Sequence, residues 1–411
     1  MKHDNDYYIR EVSPNSEGFT PMTHAGRKSM RLISIPVLVI MIMGSTVYSY
    51  DHKYAAEFLS IGVGARALAM GGAFTSIADD ATAAYWNPAG LRAIHSRQIG
   101  AMHAAQFANE IKYDFLSFVL PEETESFGIS LIRMGIDDIP YTEDAFQDWG
   151  LDNIPPGEDG DTEDDDYDPI NNPDGTEGNG QWDPYDPDID DGLPGEGIDE
   201  SKIEYKSDVE MALTLSYAKD AAPNLYVGIN AKILRQGIGE KNLLGLQSDD
   251  SMFGFGFDLG AMYYVKPWWV VGASLHDAFG TLLVWNNGTK NTRAPMLKLG
   301  NSVRLSAMNE QLDLLAAVDF DIRFEGRETA SQFSAGAMSA DIRAGTELLY
   351  RKAIALRIGV EPSSRDEEPY GRAWNMTLGA GLHIHRVQLD YALSQHPVFD
   401  ESHRVSLGFV M

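Results

Sequence analysis

The carboxylates of this sequence are the side chains with the clearest potential for chemistry, because they are concentrated in one segment. The chain has 411 residues, with 61 Asp and Glu against 32 Lys and Arg, and a formal net charge of −29. Residues 137–200 contain 24 of these acids and no Lys or Arg. Dense carboxylates and backbone carbonyls supply the six to eight oxygen ligands that Ca²⁺ takes. The candidate calcium ligands in this segment are Asp183, Asp186, Asp188 and Asp190.

The acidic segment also has an interpretation without a metal. Asp186, Asp188 and Asp190 have the first spacings of an EF-hand, but the glycine, Gly192, comes one position late and no Glu stands at position twelve. The segment is too rich in Pro, Gly and charge to bury a core, so it is predicted to be a long solvated loop. Both interpretations stay open, and no cofactor other than Ca²⁺ is expected.

Composition excludes several other kinds of chemistry. Nucleic-acid binding depends on clustered Lys and Arg, and the sequence has no such cluster, so no nucleic-acid partner is expected. Cysteine is absent from the sequence, which removes disulfides, thiolate metal sites and Cys nucleophiles. His276, His383, His385 and His403 stand in no nucleophile motif, and His383 and His385 share a predicted polar face. We therefore expect that the protein is not an enzyme.

The N-terminus has the pattern of a secretory signal. Arg27, Lys28 and Arg31 precede an apolar run over residues 32–43, and small and polar residues follow up to Ser49. The run is shorter than the roughly 20 residues of a membrane-spanning helix. Residues 1–49 are therefore predicted to be a leader and signal peptide, with Met30 or Met22 as an alternative start.

The remaining chain alternates apolar and polar residues with a period of two. In residues 209–217, for example, Val, Met, Leu, Leu and Tyr alternate with Glu, Ala, Thr and Ser. Such alternation places all the apolar side chains on one face of a strand. Fourteen strands of this kind are predicted, near residues 97–107, 111–120, 126–135, 208–218, 225–235, 252–264, 268–276, 296–307, 311–323, 340–350, 354–361, 374–385, 387–394 and 402–411.

An even number of long amphipathic strands is typical of an outer-membrane barrel, in which closure pairs every backbone group that lipid cannot satisfy. A soluble β-sandwich is the alternative, but its strands usually have five or six residues. Aromatic residues such as Trp268 and Trp374 at strand ends also favour a membrane-interface girdle. The sequence therefore predicts an all-β fold, a 14-stranded antiparallel outer-membrane β-barrel, in residues 96–411, with an acidic extracellular insertion at 137–207.

Charged side chains fall on the opposite strand face, which faces the lumen. Two interpretations remain for them: a ladder of ion pairs packed against an internal segment, or a polar permeation path. Glycines on the same face suit both, because they let another backbone approach the wall closely. The principal candidates for lumen-facing polar residues are Asp258, Arg343, Glu347 and Arg357.

A Gly/Ala-rich segment, EFLSIGVGARALAMGGAFTSIADDATAAYWNPAGL at residues 57–91, is too poor in large apolar residues for a lipid-facing strand. A short helix is predicted with Asp80 as its N-cap and Trp86 as its last residue; it is ended by Asn87, because Pro88 disfavours helical geometry at the preceding residue. Neither a Walker lysine nor a βαβ context accompanies its glycines, so a phosphate loop is excluded. The motif residues of this segment are Asp79, Asp80, Asn87, Pro88, Ala89 and Gly90.

This segment resembles the N-terminal signature of the PorV/PorQ family of outer-membrane proteins, within the wider FadL-like group. The resemblance continues more weakly through residues 341–347, 355–359 and 405–409. It implies that residues 50–95 form a small N-terminal helical hatch inside the lumen of a fourteen-stranded barrel. The chain ends in Met411 where an aromatic residue is usual, so recognition by the barrel-assembly machinery would depend on Phe409 and the last strand.

Three functional hypotheses follow. By resemblance, the protein is a component of type IX protein secretion that binds secreted cargo through the cargo's C-terminal domain. The first alternative is a FadL-like importer of hydrophobic small molecules, and the second is a surface protein that acts through its acidic loop. The partners expected are outer-membrane lipid, the barrel-assembly machinery, and either secreted protein cargo or a hydrophobic small molecule.

Overall fold

The computed structural model of the chain describes residues 56–106, 110–141, 203–239, 248–309, 311–326, 331–363, 373–394 and 402–411. The predicted signal peptide and the candidate calcium ligands Asp183, Asp186, Asp188 and Asp190 lie outside these residues. In the described part of the chain, no helix is both long and apolar enough to span a membrane.

Alternating sequence produces long strands over most of the described chain. The strands are β1 (Gln98–Gln106), β2 (Ile111–Pro121), β3 (Glu125–Tyr141), β4 (Glu204–Ala222), β5 (Leu225–Gly239), β6 (Asp250–Lys266), β7 (Trp269–His276), β8 (Thr281–Trp285), β9 (Lys290–Arg293), β10 (Met296–Ala307), β11 (Leu312–Arg323), β12 (Phe333–Ala335), β13 (Met338–Tyr350), β14 (Ile354–Ser363), β15 (Ala373–Ile384), β16 (Val387–Ser394) and β17 (Ser402–Val410).

Within the described residues, fourteen of these strands form one closed antiparallel barrel. Each pairs with its neighbours in chain order, β7 pairs with β10, β11 pairs with β13, and β17 returns to pair with β1. Closure leaves no free sheet edge, which is the condition for a sheet that lies in lipid. The predicted number of barrel strands and the antiparallel barrel fold are confirmed.

The connections divide the barrel into two ends. Short turns at 223–224, 267–268 and 385–386 join successive strands at one end, which we call the short-turn end. The longer connections, including the one between Tyr141 and Glu204, lie at the other, which we call the long-loop end. Outer-membrane barrels have short periplasmic turns and longer extracellular loops. The acidic insertion is therefore attached at the end that corresponds to the cell surface.

Two features differ from the sequence prediction. The pairing of β3 with β4 continues past a β-bulge near Ile136 as far as Tyr141 and Glu204, so the predicted insertion limits of 137 and 207 are wrong. The alternation of apolar and polar residues is interrupted at a bulge because one strand carries an extra residue. The pattern therefore did not indicate that the strands continue past it. The hairpin β8–β9 and the short β12 were also missed, since they are short and lie in connections between barrel strands.

The two faces of the barrel wall have the predicted polarity. Apolar side chains such as Leu215, Phe255, Leu378 and Leu407 are exposed on the outer face. Side chains that alternate with them, such as Thr377, are buried inside. The largest buried apolar cluster lies in the lumen, where it joins inward residues of the wall to residues 58–94.

Candidate functional site: the hatch and the inner wall of the barrel

The lumen contains the segment of residues 56–97, which we call the hatch. It consists of short helical pieces, at Glu57–Ser60, Ala65–Ala69, Ala83–Trp86 and Pro88–Ala93, joined by tight turns. Its alanines and glycines let these pieces pack closely, and most of its apolar side chains are fully buried. The hatch predicted from the family resemblance is therefore present inside the barrel.

The Asn87–Pro88 motif connects two helical pieces and attaches them to the wall. Asn87 has extended backbone geometry, with φ −162° and ψ 108°, as expected before a proline. Its side-chain oxygen accepts a hydrogen bond from the amide of Ala89, and its amide nitrogen donates to the carbonyls of Thr75 and Ala261, at 2.9 and 3.1 Å. Ala261 belongs to β6, so this buried amide joins the two parts of the hatch to the barrel.

Ala89 and Gly90 complete this motif by close packing. Ala89 is fully buried. A Cβ on Gly90 would overlap the backbone of Ala78, which only glycine avoids. The predicted helix ends at Trp86 as expected, but it begins at Ala83, and the Asp80 carboxylate precedes it by accepting hydrogen bonds from the amide and hydroxyl of Thr82.

Asp79 and Asp80 converge on one guanidinium, that of Arg66. Arg66 contacts both carboxylates and also pairs with Glu347 of β13 through Nε and Nη2, at 2.9 and 3.0 Å. Asp79 additionally accepts from Arg304 at 3.0 Å. Burial alone raises the pKa of the Asp79 carboxyl, but Arg66 and Arg304 outweigh it and hold this pKa below its ordinary value. Burial raises the pKa of Asp80, because Arg66 and Thr82 offset burial only partly.

The Arg66 contact continues into the wall as a chain of alternating charges. Glu347 also accepts from Arg357 of β14 at 2.6 Å, and Arg357 donates to Asp390 of β16 at 2.7 Å. All three wall residues are buried. Glu347 and Arg357, two of the predicted lumen residues, thus act together in holding Arg66.

The other two predicted lumen residues belong to separate clusters. Arg343 of β13 donates to Asp321 at 2.9 Å and to the hatch carbonyl of Gly71 at 3.1 Å. Asp258 of β6 lies 2.7 Å from the Lys232 ammonium and accepts from the amide of Asp277 at 2.9 Å. The structure therefore places all four predicted residues on the inner wall, where they form ion-pair clusters rather than one site.

A further attachment is formed by the carboxylate of Asp319 on β11. Its Oδ2 accepts from the backbone amides of Phe74 and Thr75, at 2.9 and 2.8 Å. The carboxylate therefore holds the part of the hatch that directly follows Gly71 and Gly72. Sequence analysis placed charged residues on this wall but did not identify the hatch atoms that they bind.

Attachments of this kind surround the hatch. Among the described residues, those on eleven barrel strands make side-chain or main-chain hydrogen bonds to it: Met102 on β1, Ser117 on β2, Glu125 on β3, Asp220 on β4, Asn230 on β5, Ala261 on β6, Ser302 on β10, Asp319 on β11, Glu347 on β13, Thr377 on β15 and Ser406 on β17. The hatch is consequently bound around the whole circumference rather than along one side.

Glycines of the wall allow the hatch backbone to make direct contact with the strands. A Cβ on Gly272 would lie 2.5 Å from the carbonyl oxygen of Thr75, and one on Gly345 would overlap the carbonyl oxygen of Met70. Several of these glycines pair across neighbouring strands: Gly228 with Gly260, Gly272 with Gly300, and Gly345 with Gly359. We call this set the glycine belt. It confirms the close approach that the sequence suggested for lumen glycines.

Sequence reasoning missed Arg66, Arg92, Asp277 and Arg293. Arg92 donates to Asp220 and to three backbone carbonyls at the short-turn end. Arg293 of the missed hairpin pairs with Asp277 and donates to the carbonyl of Ala56. The sequence does single out Arg66 and Arg92, because they are the only Lys or Arg in residues 57–95.

The four histidines named in the sequence analysis have different surroundings in the described chain, and Nε2 of His276 lies 3.2 Å from the Ser274 hydroxyl oxygen. His383 lies in the lumen near Asp390, but His385 lies in the turn after β15 with φ 53°, so their predicted shared face is wrong. His403 contacts the Tyr391 hydroxyl at 2.7 Å. Among the residues that the structure describes, no group of three His, Asp or Glu could hold a metal.

Comparisons with known proteins give a family match for the hatch region. The model of an uncharacterised protein family, UPF0164, matches residues 43–147, which include the hatch and β1 to β3. PorV and PorQ belong to this family. No curated protein matches the chain. The assignment to PorV and PorQ themselves stays a prediction.

Several solved structures share the barrel architecture at low sequence identity. The toluene transporter TodX of Pseudomonas putida is 14% identical, with 84% of this chain and 96% of that chain covered and a TM-score of 0.48. The Ralstonia pickettii toluene transporter TbuX is 14% identical, with 85% and 98% covered and a TM-score of 0.48. A FadL homologue of Pseudomonas aeruginosa is 13% identical, with 83% and 96% covered and a TM-score of 0.44. These values are low, so the fold assignment rests on the chain's own strand pairing.

Proposed function

We propose that this protein is an outer-membrane barrel with a permanently seated hatch, which acts in protein export by holding exported proteins at the cell surface. The observation that carries the proposal is the attachment of the hatch to eleven strands of the described barrel. A hydrogen bond contributes about 1 kcal/mol net, and separating one partner of a buried ion pair costs about 3 to 5 kcal/mol. Removing the hatch would break many such contacts together, so opening a central pore is strongly disfavoured.

A seated hatch favours a function at the long-loop end of the barrel over transport of molecules through the lumen. Strands β3, β4, β5 and β6 are the longest of the barrel, and they extend at that end. The PorV/PorQ resemblance implies that such a barrel takes part in type IX secretion and binds cargo through the cargo's C-terminal domain. The proposed cargo is accordingly a secreted protein with a folded C-terminal domain.

A second candidate function is the passage of hydrophobic small molecules. One observation favours it: the inner face of β1, β2 and β3 is apolar where it meets the hatch, with Met102, Phe115 and Ile132 buried against residues such as Phe58. A hydrophobic molecule could replace side-chain contacts here without separating an ion pair. The hatch would then shift only along residues 58–64, which leaves the Glu57–Arg293 ion pair in place.

Deletion of the gene in the source bacterium separates the two candidates. For protein export, secreted proteins should decrease at the cell surface and accumulate in the periplasm, while uptake of a hydrophobic hydrocarbon stays unchanged. Complementation with the unaltered gene is the control. Normal surface delivery together with slower hydrocarbon uptake would contradict the proposal and favour the importer.

A further inference from the structure

Arg404 of β17 differs from the other buried cations of the lumen. Among the described residues, five Lys or Arg are buried: Arg92, Lys232, Lys298, Arg357 and Arg404. The first four each form an ion pair with a carboxylate, at 2.9, 2.7, 2.7 and 2.6 Å. No described carboxylate forms an ion pair with Arg404, although this residue is only 8% exposed.

The burial of Arg404 requires a counter-charge. Arginine cannot lose its proton to avoid a buried charge, because its guanidinium stays charged in proteins. Burying an unpaired charge is unfavourable, so buried charges in folded proteins are paired. The Nε atom of Arg404 is buried and has no hydrogen-bond partner in the described chain. An acceptor with negative charge would remove both penalties.

The carboxylate of Glu361 lies on the same part of the wall, but other groups already occupy it. It accepts a hydrogen bond from the Ser394 hydroxyl at 2.8 Å and one from Arg343 at 3.3 Å. Ser394 pairs in register with Ser402, two residues before Arg404. The described wall therefore supplies no free acid for Arg404, and a bound anion is the remaining source of negative charge.

Ser402 supplies a second hydrogen-bond donor next to Arg404. The two residues are two positions apart on β17, so both side chains are on its inner face, about 7 Å apart along the strand. The Oγ atom of Ser402 is buried and also has no partner in the described chain. Ala104 and Ala392 flank Arg404 in register on β1 and β16, and their methyl groups take little space. Two donors without acceptors, beside small side chains, are the arrangement of an anion site.

This site lies toward the long-loop end, next to the start of the hatch. Ser402 begins β17 at that end of the barrel. Tyr113 pairs with Ala104, and its hydroxyl donates to the hatch carbonyl of Phe58 at 3.0 Å. The neighbours Ala104, Ala392 and Tyr113 are at most 1% exposed. Such tight surroundings favour a small anion that enters from the cell-surface side.

We propose that Arg404 and Ser402 bind a small monovalent anion, either a chloride ion or a free carboxylate such as acetate. The Arg404 guanidinium supplies the positive charge, and the Ser402 hydroxyl supplies a second hydrogen bond. The bound anion completes the charge pairing of the inner wall, and it stabilises the folded barrel because the unfolded chain has no such site.

Unfolding of the full-length protein in detergent micelles tests the proposal. Chloride replaces gluconate, a larger anion, at constant ionic strength, and the unfolding temperature should rise with chloride concentration. A second titration with acetate separates the two sources, because the preferred anion reaches half of its effect at the lower concentration. Arg97→Gln is the control: it removes an exposed arginine outside the site and should respond like the unaltered protein.

Two variants of the site should respond differently. Arg404→Met removes the charge and keeps an apolar side chain of similar length, so it should abolish the response to chloride and acetate. In gluconate this variant should be at least as stable as the unaltered protein, because it lacks the unpaired buried charge. Ser402→Ala keeps the charge but loses one hydrogen bond to the anion. It should raise the half-saturating anion concentration about tenfold.

Bromide soaked into crystals of the unaltered protein locates the anion directly. Its anomalous density should lie within hydrogen-bonding distance of Arg404, and it should be absent from Arg404→Met. Equal responses of the unaltered protein and Arg404→Met to chloride and acetate would overturn the proposal, as would bromide density only at other positions. A stability that responds to neither anion would also overturn it, because the chain itself would then supply the counter-charge.

Discussion

At the scale of single residues, Arg66 is a hatch side chain on which three carboxylates converge. It pairs with Asp79, Asp80 and Glu347. Arg66→Met should lower the free energy of unfolding by about 3 to 5 kcal/mol, because three carboxylates would lose a buried cation. Arg97→Met, at an exposed site, should stay within about 0.5 kcal/mol. Urea unfolding in lipid vesicles measures both, and equal effects would contradict this role.

Asp79 and Asp80 differ in the direction of their pKa shifts, so they should differ in their response to substitution. Asp79 has a lowered pKa, so its charge stabilises the fold above its ordinary pKa of about 3.9, and this contribution is lost as pH falls further. The raised pKa of Asp80 means that its ionised form is disfavoured by folding. At pH 7, Asp79→Asn should therefore cost more stability than Asp80→Asn. The difference between the stability losses of the two variants should shrink below pH 4. A difference that grew there would contradict the opposite pKa shifts of Asp79 and Asp80.

At the scale of elements, the glycine belt and the outer apolar faces specify where the strands touch the hatch and the lipid. Gly272→Ala should destabilise the protein by about 1 to 3 kcal/mol, because its Cβ would overlap the Thr75 carbonyl. At Gly408 the nearest atoms belong to the Gln388 side chain and lie 3.2 Å away or farther, so Gly408→Ala should be nearly neutral. Thermal unfolding measures the stability of the two variants. An equal loss of stability in both would mean that the hatch is not seated against β7.

The outer face offers a matching test of strand orientation. Leu378→Arg should destabilise the barrel by about 2 to 4 kcal/mol if Leu378 meets lipid near the midplane. Met308→Arg, in the exposed turn after β10, should cost less than about 1 kcal/mol. Folding yield and urea unfolding in vesicles would show the difference. If Met308→Arg were the more damaging change, the outer face would be assigned wrongly.

At the scale of the whole molecule, the sequence was sufficient for the strands but not for the contacts between distant residues. Period-two alternation identifies a strand and its faces without knowledge of its neighbours, so the fourteen barrel strands and the positions of Asp258, Arg343, Glu347 and Arg357 could be predicted. Arg66 and Glu347 are 281 residues apart. Their contact depends on barrel closure and on the path of the hatch, which no local pattern encodes.

The measurement that tests the seated hatch most directly is the ionic conductance of the purified, unaltered protein in a planar lipid bilayer. Hatch contacts on eleven strands of the described barrel predict that the inserted barrel carries almost no current across a range of voltages. Arg66→Met provides the comparison, and it should show intermittent opening because the hatch loses its main ionic attachment. A steady, large conductance of the unaltered protein would contradict the seated hatch and, with it, the proposed role at the cell surface.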